Sequence, residues 1–504
     1  MNSRLFRLLL VSFFCAPLWN QVSAQTKPGF PEDRLTFDEM AAHLRYIAAD
    51  KLMGRRTGEE GNNEAARYIA GEFRKAGMKA FPSAIDFLQK VPLHRRMSPG
   101  KTIVVLNRDT LNQPNNLVLR DGGPIEWRGQ CAFVGYGIID SAKGTNDFMG
   151  IDLKGKVAIA RLGQKGDANL FSALTDLAAR KRLAAQARGA TALVEFYEGP
   201  REWRAISGFL MRSGVETGAA DQGFPHLIVE DTSKRYATLV QSSNAIEIAI
   251  QAEGVRRQDI PAQNVLGYIR GADPKLREEY VLLTAHYDHI GASRREGASG
   301  DTIYNGARDN GMGTVALIGA AKALAATPPK RSVIIAAVTG EEMGMLGSRH
   351  LAAEPPVPMG NIVYNLNVDG AGYDDTTIVT IVGLDRTTAE PFIKKGAERY
   401  GLTAMQVPEE NKGLFNASDN VSFASRGVPA PTFSEGFHGF TPEILKYYHK
   451  VTDQADENFN FSYFLKFCKA YTHAARLIAD APIAPFWKEG DPYEQIGKRL
   501  YKKN

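Results

Sequence analysis

His286, Asp309, Glu341, Glu342, Asp369 and His449 have the side chains needed to hold and use divalent cations. Most of them follow an apolar run. Tyr280–Ala285 leads into His286, Ser332–Val338 leads through Thr339-Gly340 to Glu341-Glu342, and Asn361–Val368 leads to Asp369 before Gly370. Asp309 sits in the glycine-rich run Asn305-Gly306-Ala307-Arg308-Asp309-Asn310-Gly311. Imidazole and carboxylate are the ligands expected for zinc, and they also suit manganese or cobalt. Two histidines and three carboxylates can hold two cations and leave one glutamate to work on water, which is the chemistry of a two-metal hydrolase. A carboxylate can bridge two cations, and Asp309 in its tight loop is the candidate. Adjacent Glu341 and Glu342 cannot point the same way from an extended strand end, so one can coordinate while the other faces the water. Asp288, two residues beyond His286, can accept the second imidazole N–H and fix its tautomer. His289 is expected on the opposite side of the strand. Taken singly, a histidine at a strand end or an Asp before Gly is more often structural. Together they carry weight, because buried strand ends seldom hold unpaired charge without a cation.

The elements that must position these groups are readable from periodicity. Thr36-Phe37-Asp38-Glu39 is a capping-box pattern that opens a helix through about Ala49. A second helix is expected from about Asn62 to Ala76, stopping at Gly77. From Asn264 onward, strands apolar on both faces alternate with helices such as Thr314–Ala326. That pattern implies an α/β fold with a sheet covered on both sides. In such sheets ligands gather beyond the C-terminal strand ends, so segments far apart in sequence would converge on one crevice. Between about Gly122 and Gly254 short β-like runs dominate, with one helical stretch near Leu170–Arg188, as in a separate smaller domain.

The chain has 504 residues, 44% hydrophobic and 23% charged, which suits two or more globular domains. A net charge of +5 and no basic stripe interleaved with aromatics give no case for nucleic-acid binding. Arg4 and Arg7, the apolar run 8–14 and Val22-Ser23-Ala24 read as a signal peptide over residues 1–24. That run is too short to span a bilayer, so the expectation is an exported protein, periplasmic or extracellular, without a membrane span. Cys131 and Cys468 fall in different expected domains and in no CxxC pattern, so neither a disulfide nor a thiolate ligand is expected.

Five ordered segments resemble the co-catalytic zinc aminopeptidase family, which includes secreted bacterial leucyl aminopeptidases and glutamate carboxypeptidase II. They are Thr284–Asp288, Gly306–Gly313, Thr339–Ser348, Asn365–Asp369 and Tyr448–Asp456. The resemblance implies two Zn²⁺ per chain, bridged by Asp309. His286 and Asp369 would complete one metal site, and Glu342 and His449 the other. It implies Glu341 as general base and acid, favours His449 over His438 as the last ligand, and gives Tyr448 a role at the oxyanion. The implied fold is an α/β mixed sheet with helices on both faces, of the zinc-peptidase, phosphorylase/hydrolase-like type. The N-terminal run Leu52–Gly58 resembles the family's opening, and Gly135-Tyr136-Gly137, Ile151–Val157 and Ala184–Ala190 resemble an inserted, smaller β-rich protease-associated domain. The expected boundaries are 25–115 for the first part of the peptidase domain, 116–255 for the insert and 256–504 for the rest. Two departures from the family are Asn420 in place of a histidine and Lys450 in place of a threonine.

The function expected from the resemblance is an aminopeptidase acting on peptide substrates. Alternatives are a carboxypeptidase of the glutamate carboxypeptidase type, for which Arg308 is one candidate basic-pocket residue, a one-zinc glutaminyl cyclase, and a catalytically dead binding module. Side-chain preference and oligomeric state are not fixed by the sequence.

Overall fold

The computed structural model describes residues 29–140, 144–166, 173–174, 176–217, 223–243, 246–293 and 300–502; the expected signal peptide, 1–24, lies outside the described residues. Two eight-stranded sheets organise the chain. The main sheet holds β1 (Leu88–Lys90), β2 (Gln263–Ile269), β3 (Tyr280–His286), β4 (Ser332–Val338), β5 (Ile362–Val368), β6 (Ile378–Val382), β7 (Thr403–Gln406) and β8 (Thr432–Ser434), in the order β1-β2-β4-β3-β5-β8-β6-β7. Strand β3 runs parallel to both β4 and β5, whereas β1 with β2, β2 with β4 and β6 with β8 are antiparallel. The sheet is therefore mixed.

The unbroken apolar runs of β3, β4 and β5 follow from burial on both faces. Val281, Leu283 and Ala285 join one core with helices α1 (Phe37–Ile47), α2 (Glu60–Lys75), α3 (Met312–Ala326) and α4 (Phe461–Asp480). Leu282, Ile334 and Ala336 join the opposite core with Leu351, Phe423 and Trp487. Thr36 caps α1 by accepting from the Glu39 N–H at 3.4 Å. Helix α2 starts two residues before its expected position and ends short of Gly77, whose φ of +82° suits glycine.

The second sheet comprises Thr102–Leu106, Asp109–Asn112, Leu117–Asp121, Ile125–Phe133, Val157–Arg161, Ala192–Tyr197, His226–Glu230 and Glu247–Ala252. It encloses its own apolar core, including Leu106, Leu119, Ile159, Val194 and Ile248. Its first two strands lie before residue 116, the expected start of the insert. The polar Asn107–Asn116 run, which has no clear helical character in sequence, contains the strand Asp109–Asn112, which is paired to Thr102–Leu106. The helix expected near 170–188 is described from Asp176 to Gln186.

The second sheet is spliced into the first at a single point. The chain leaves the main sheet after Lys90 and returns at Gln263, which is Lys90's antiparallel partner. A three-stranded ribbon, Leu93–Arg96 between Gly214–Thr217 and Arg257–Ile260, lies at the junction. Among the described residues no helix is long and apolar enough to cross a membrane. Cys131 and Cys468 are both free and buried.

Candidate metal centre

Strands β4, β3 and β5 are adjacent and parallel, so their C-terminal ends open on one edge. His286 is the last residue of β3, Glu341-Glu342 follow β4 after Thr339-Gly340, and Asp369 follows β5. Asp309 comes from the turn Ala307–Gly311 that opens α3, where φ −107° and ψ 99° swing it out of helical conformation. His449 arrives from a distant loop in left-handed conformation, φ +54°.

The distances divide these groups into two sets that share Asp309. His286 Nε2 lies 3.1 Å from Asp369 Oδ1 and 3.4 Å from Asp309 Oδ1. His449 Nε2 lies 3.1 Å from Asp309 Oδ2 and 3.2 Å from Glu342 Oε2. Ligands about 2.0–2.1 Å from a tetrahedral zinc stand about 3.3 Å from one another. The donor atoms therefore have the separations of two metal sites with one Asp309 oxygen turned to each. His438 is elsewhere, exposed and 3.3 Å from Asp375.

Three local expectations are corrected. Glu341 and Glu342 line the same cleft, because the chain after β4 turns instead of staying extended: the Gly344 and Met345 N–H groups donate back to the Glu341 carbonyl. His286 Nδ1 meets the Asp288 backbone carbonyl at 3.1 Å, with the carboxylate farther off at 3.8 Å. The Asp288 carboxylate instead accepts from Thr57 Oγ1 at 3.0 Å and from the Glu341 N–H at 3.2 Å, which aims the glutamate turn. Finally, His289 is fully buried within the cluster, its Nδ1 2.6 Å from Glu342 Oε1. Strand β3 ends at His286, so the alternation that would have sent His289 away does not extend to it.

The cluster carries more buried negative charge than its neighbours neutralise. Burial first, then Glu342, raises the Asp309 carboxyl above its usual range. Burial pushes Asp288 up to about 6. Burial also raises Glu341, with Asp369 and Asp419 adding repulsion against the opposing pull of His286. Glu435, just beyond β8, is fully buried, and neither carboxyl oxygen has a hydrogen-bond partner among the described residues. The imidazoles are raised as well. Hydrogen bonds to Asp309 and then Glu342 push His449 up to about 10, and at His286 burial pulls the proton affinity down but Asp369, Glu341 and Asp309 together raise it well above the usual range. The site thus favours added positive charge, which divalent cations would supply.

Residues 264–465 match the model of peptidase family M28. This segment belongs to peptidase family M28. Over 200 residues the chain is 25% identical to aminopeptidase YwaD of Bacillus subtilis strain 168, covering 39% of this chain and 40% of that protein. A probable zinc metalloprotease of Pyrenophora tritici-repentis is 28% identical over 142 residues, 28% of each chain. The chain thus spans less than half the length of these curated relatives. Among solved structures, an aminopeptidase from Aneurinibacillus sp. strain AM-1 aligns with a TM-score of 0.49 at 16% identity, covering 91% of this chain and 98% of that one.

The M28 segment does not hold its loops alone. Arg55, from the turn before α2, is fully buried and donates to the carbonyls of Ile47, Tyr287, Asn305 and Gly306. It ties the His286-Tyr287-Asp288 turn to the loop that presents Asp309. Burial lowers its pKa to about 10, while Asp288, Asp453 and Asp309 favour its charge, so it remains a cation at neutral pH. In sequence it falls within the Leu52–Gly58 run, where nothing signals its bonds to distant carbonyls. Arg55→Met should lower the stability of the metal-free protein by at least about 3 kcal/mol, because several buried carbonyls lose their donors. Urea unfolding monitored by circular dichroism measures this, and a change under about 1 kcal/mol would contradict the clamp.

Asp453 plays a matching part within the M28 segment. Its carboxylate accepts from the backbone N–H groups of Arg308 and Asp309 at 3.0 and 3.1 Å and from Arg308 Nη1 at 3.1 Å. Arg308, the candidate for a basic pocket, is thereby engaged, its guanidinium also stacked 3.8 Å from the Tyr447 ring. Tyr448 lines the cleft with its ring stacked on His449, centroids 4.1 Å apart. The family departures lie off the cleft. The Asn420 amide donates to the Phe415 and Ala430 carbonyls, and Lys450 is exposed.

Proposed function

We propose that the protein is a zinc-dependent aminopeptidase that removes N-terminal residues from peptides, with His286, Asp309 and Asp369 at one cation site and Asp309, Glu342 and His449 at the other. The observation that carries this proposal is the pair of imidazole–carboxylate sets sharing Asp309, at separations of 3.1–3.4 Å. A pair of Zn²⁺, or of Mn²⁺ or Co²⁺, would polarise the scissile carbonyl and make water more acidic. Glu341 accepts the proton of the attacking water and returns it to the leaving amine. Tyr448, which lines the cleft beside His449, would donate to the developing oxyanion.

Support for an aminopeptidase over a carboxypeptidase comes from Arg308, which is held by Asp453 and is not free to receive a substrate carboxylate. Besides the carboxylates, the cleft is lined by apolar Val382, Leu414, Phe437, Phe440 and Ile444. An apolar N-terminal side chain fits that lining. We assign residues 1–24 as a signal peptide and the spliced sheet as a protease-associated domain on sequence grounds, and exported protein should begin at Gln25.

A panel of aminoacyl-p-nitroanilides run beside N-blocked peptides tests the reaction. Leucyl and phenylalanyl substrates should turn over at least about tenfold faster than glutamyl ones, since each lost apolar contact costs about 1–3 kcal/mol of discrimination. Activity confined to blocked peptides with acidic C-termini would overturn the aminopeptidase assignment.

A further inference from the structure

His289 has no part in the metal sites as assigned above, yet it lies inside them. It is fully buried. Its Nδ1 is 2.6 Å from Glu342 Oε1 and 4.0 Å from Asp309 Oδ2. The two oxygens of Glu342 face different imidazoles, since Oε2 is the one 3.2 Å from His449 Nε2. This division separates two roles for His289. Atoms bound to one tetrahedral zinc stand about 3.3 Å apart, and the assigned donors fall at 3.1–3.4 Å. A nitrogen 2.6 Å from a carboxylate oxygen is too close for two ligands of one ion, and it puts an imidazole N–H within reach of that oxygen.

The ring has little freedom. Gly306, at φ +58°, passes so close that a Cβ there would come within 2.6 Å of His289 Cδ2 and 2.7 Å of Cγ. The His449 ring meets it edge-on, centroids 5.6 Å apart, and the His289 backbone N–H donates to the Arg55 carbonyl at 3.3 Å. Neither ring nitrogen has a hydrogen-bond partner among the described residues, and neither does Glu342 Oε1. The two unmatched groups face each other across the shortest approach between an imidazole and a carboxylate in the cluster. An imidazole locked in that position is suited to fix a ligand's rotamer.

We propose that His289 is a positioning residue for the second cation site: its Nδ1–H grips Glu342 Oε1, leaving Oε2 to face the cation together with Asp309 and His449. This rests on the metal-centre assignment made above. Its effect is to make Glu342 a one-oxygen ligand of fixed orientation.

The test uses the full chain, stripped of metal and equilibrated in zinc buffers, with wild type beside His289→Leu and His289→Asn. Zinc per chain and the affinity of each equivalent are read by competition with a chromophoric chelator, and the Co²⁺ visible spectrum reports coordination. Wild type should hold two zincs. His289→Leu should bind one of them about 10–100-fold more weakly and leave the other unchanged. His289→Asn, whose amide N–H can reach towards Glu342, should recover most of that loss with an unaltered Co²⁺ spectrum. Unchanged affinity in His289→Leu would overturn the proposal. So would equal loss in both variants with altered Co²⁺ bands, which would make His289 a ligand. A wild type that binds fewer than two zincs would overturn the metal-centre assignment itself, and this proposal with it.

Discussion

Glu341→Gln should lower kcat on leucyl-p-nitroanilide by about 10²–10⁴-fold while zinc content stays at the wild-type level. The ion pairs of His286 and His449 run to Asp309, Asp369 and Glu342, which leaves Glu341 as the cleft carboxylate outside that set. Its backbone is fixed by the Asp288 carboxylate, and burial raises its proton affinity, with Asp369 and Asp419 adding to the effect. A carboxylate so placed both takes a proton readily and holds it long enough to return it. Glutamine preserves shape and hydrogen bonding but cannot carry the proton. Turnover within tenfold of wild type at equal zinc content would remove Glu341 from that role.

Asp309→Asn should abolish high-affinity binding at both cation sites together, and with it measurable turnover. Each of its oxygens faces a different imidazole, so a single substitution weakens two sites. The effect on stability should have opposite signs with and without metal. In the metal-free protein the Asp309 carboxyl is raised by burial and by Glu342, so its charge opposes folding at neutral pH, and asparagine relieves that opposition. Metal-free Asp309→Asn should unfold at the same temperature as metal-free wild type or higher. Zinc at about 100 times its Kd should stabilise wild type by about 2.7 kcal/mol per site and the variant by almost nothing. Calorimetry of both proteins with and without zinc measures the four values. A zinc-induced rise in the variant comparable with wild type would contradict a shared Asp309.

The residues that read clearly in the sequence were those under the simplest constraints. Strands β3, β4 and β5 are buried on both faces, and their continuous apolar runs gave their positions to within a residue. His286, Glu341, Glu342 and Asp369 meet in one cleft because parallel strand ends face one edge, while Asp309 and His449 reach it from loops, His449 having been singled out by the resemblance. Groups whose placement depends on turns were not readable. The orientation of His289 and the matching of His286 with the Asp288 carbonyl depend on where β3 stops, a difference of one or two residues. Arg55 and Asp453 fall within the resembling runs Leu52–Gly58 and Tyr448–Asp456, but they bond mainly to main-chain groups, which any sequence supplies, so their roles were not legible. The strand Asp109–Asn112 is polar because its exposed side faces solvent, and only its pairing with Thr102–Leu106 reveals it.

The splice between Lys90 and Gln263 has a consequence for the order of assembly during synthesis. The two residues are neighbours in space, but at about 5–20 residues per second the ribosome needs on the order of 10 s or more to join them. In that interval the whole second sheet emerges and can close its own core, while α1, α2 and Arg55 wait. The carbonyl partners of Arg55 at Tyr287, Asn305 and Gly306 come still later, and His449 last among the cation-facing groups. A nascent chain halted near residue 262 would carry a complete second sheet and no capacity for metal. The cleft forms only after nearly the whole protein has been made.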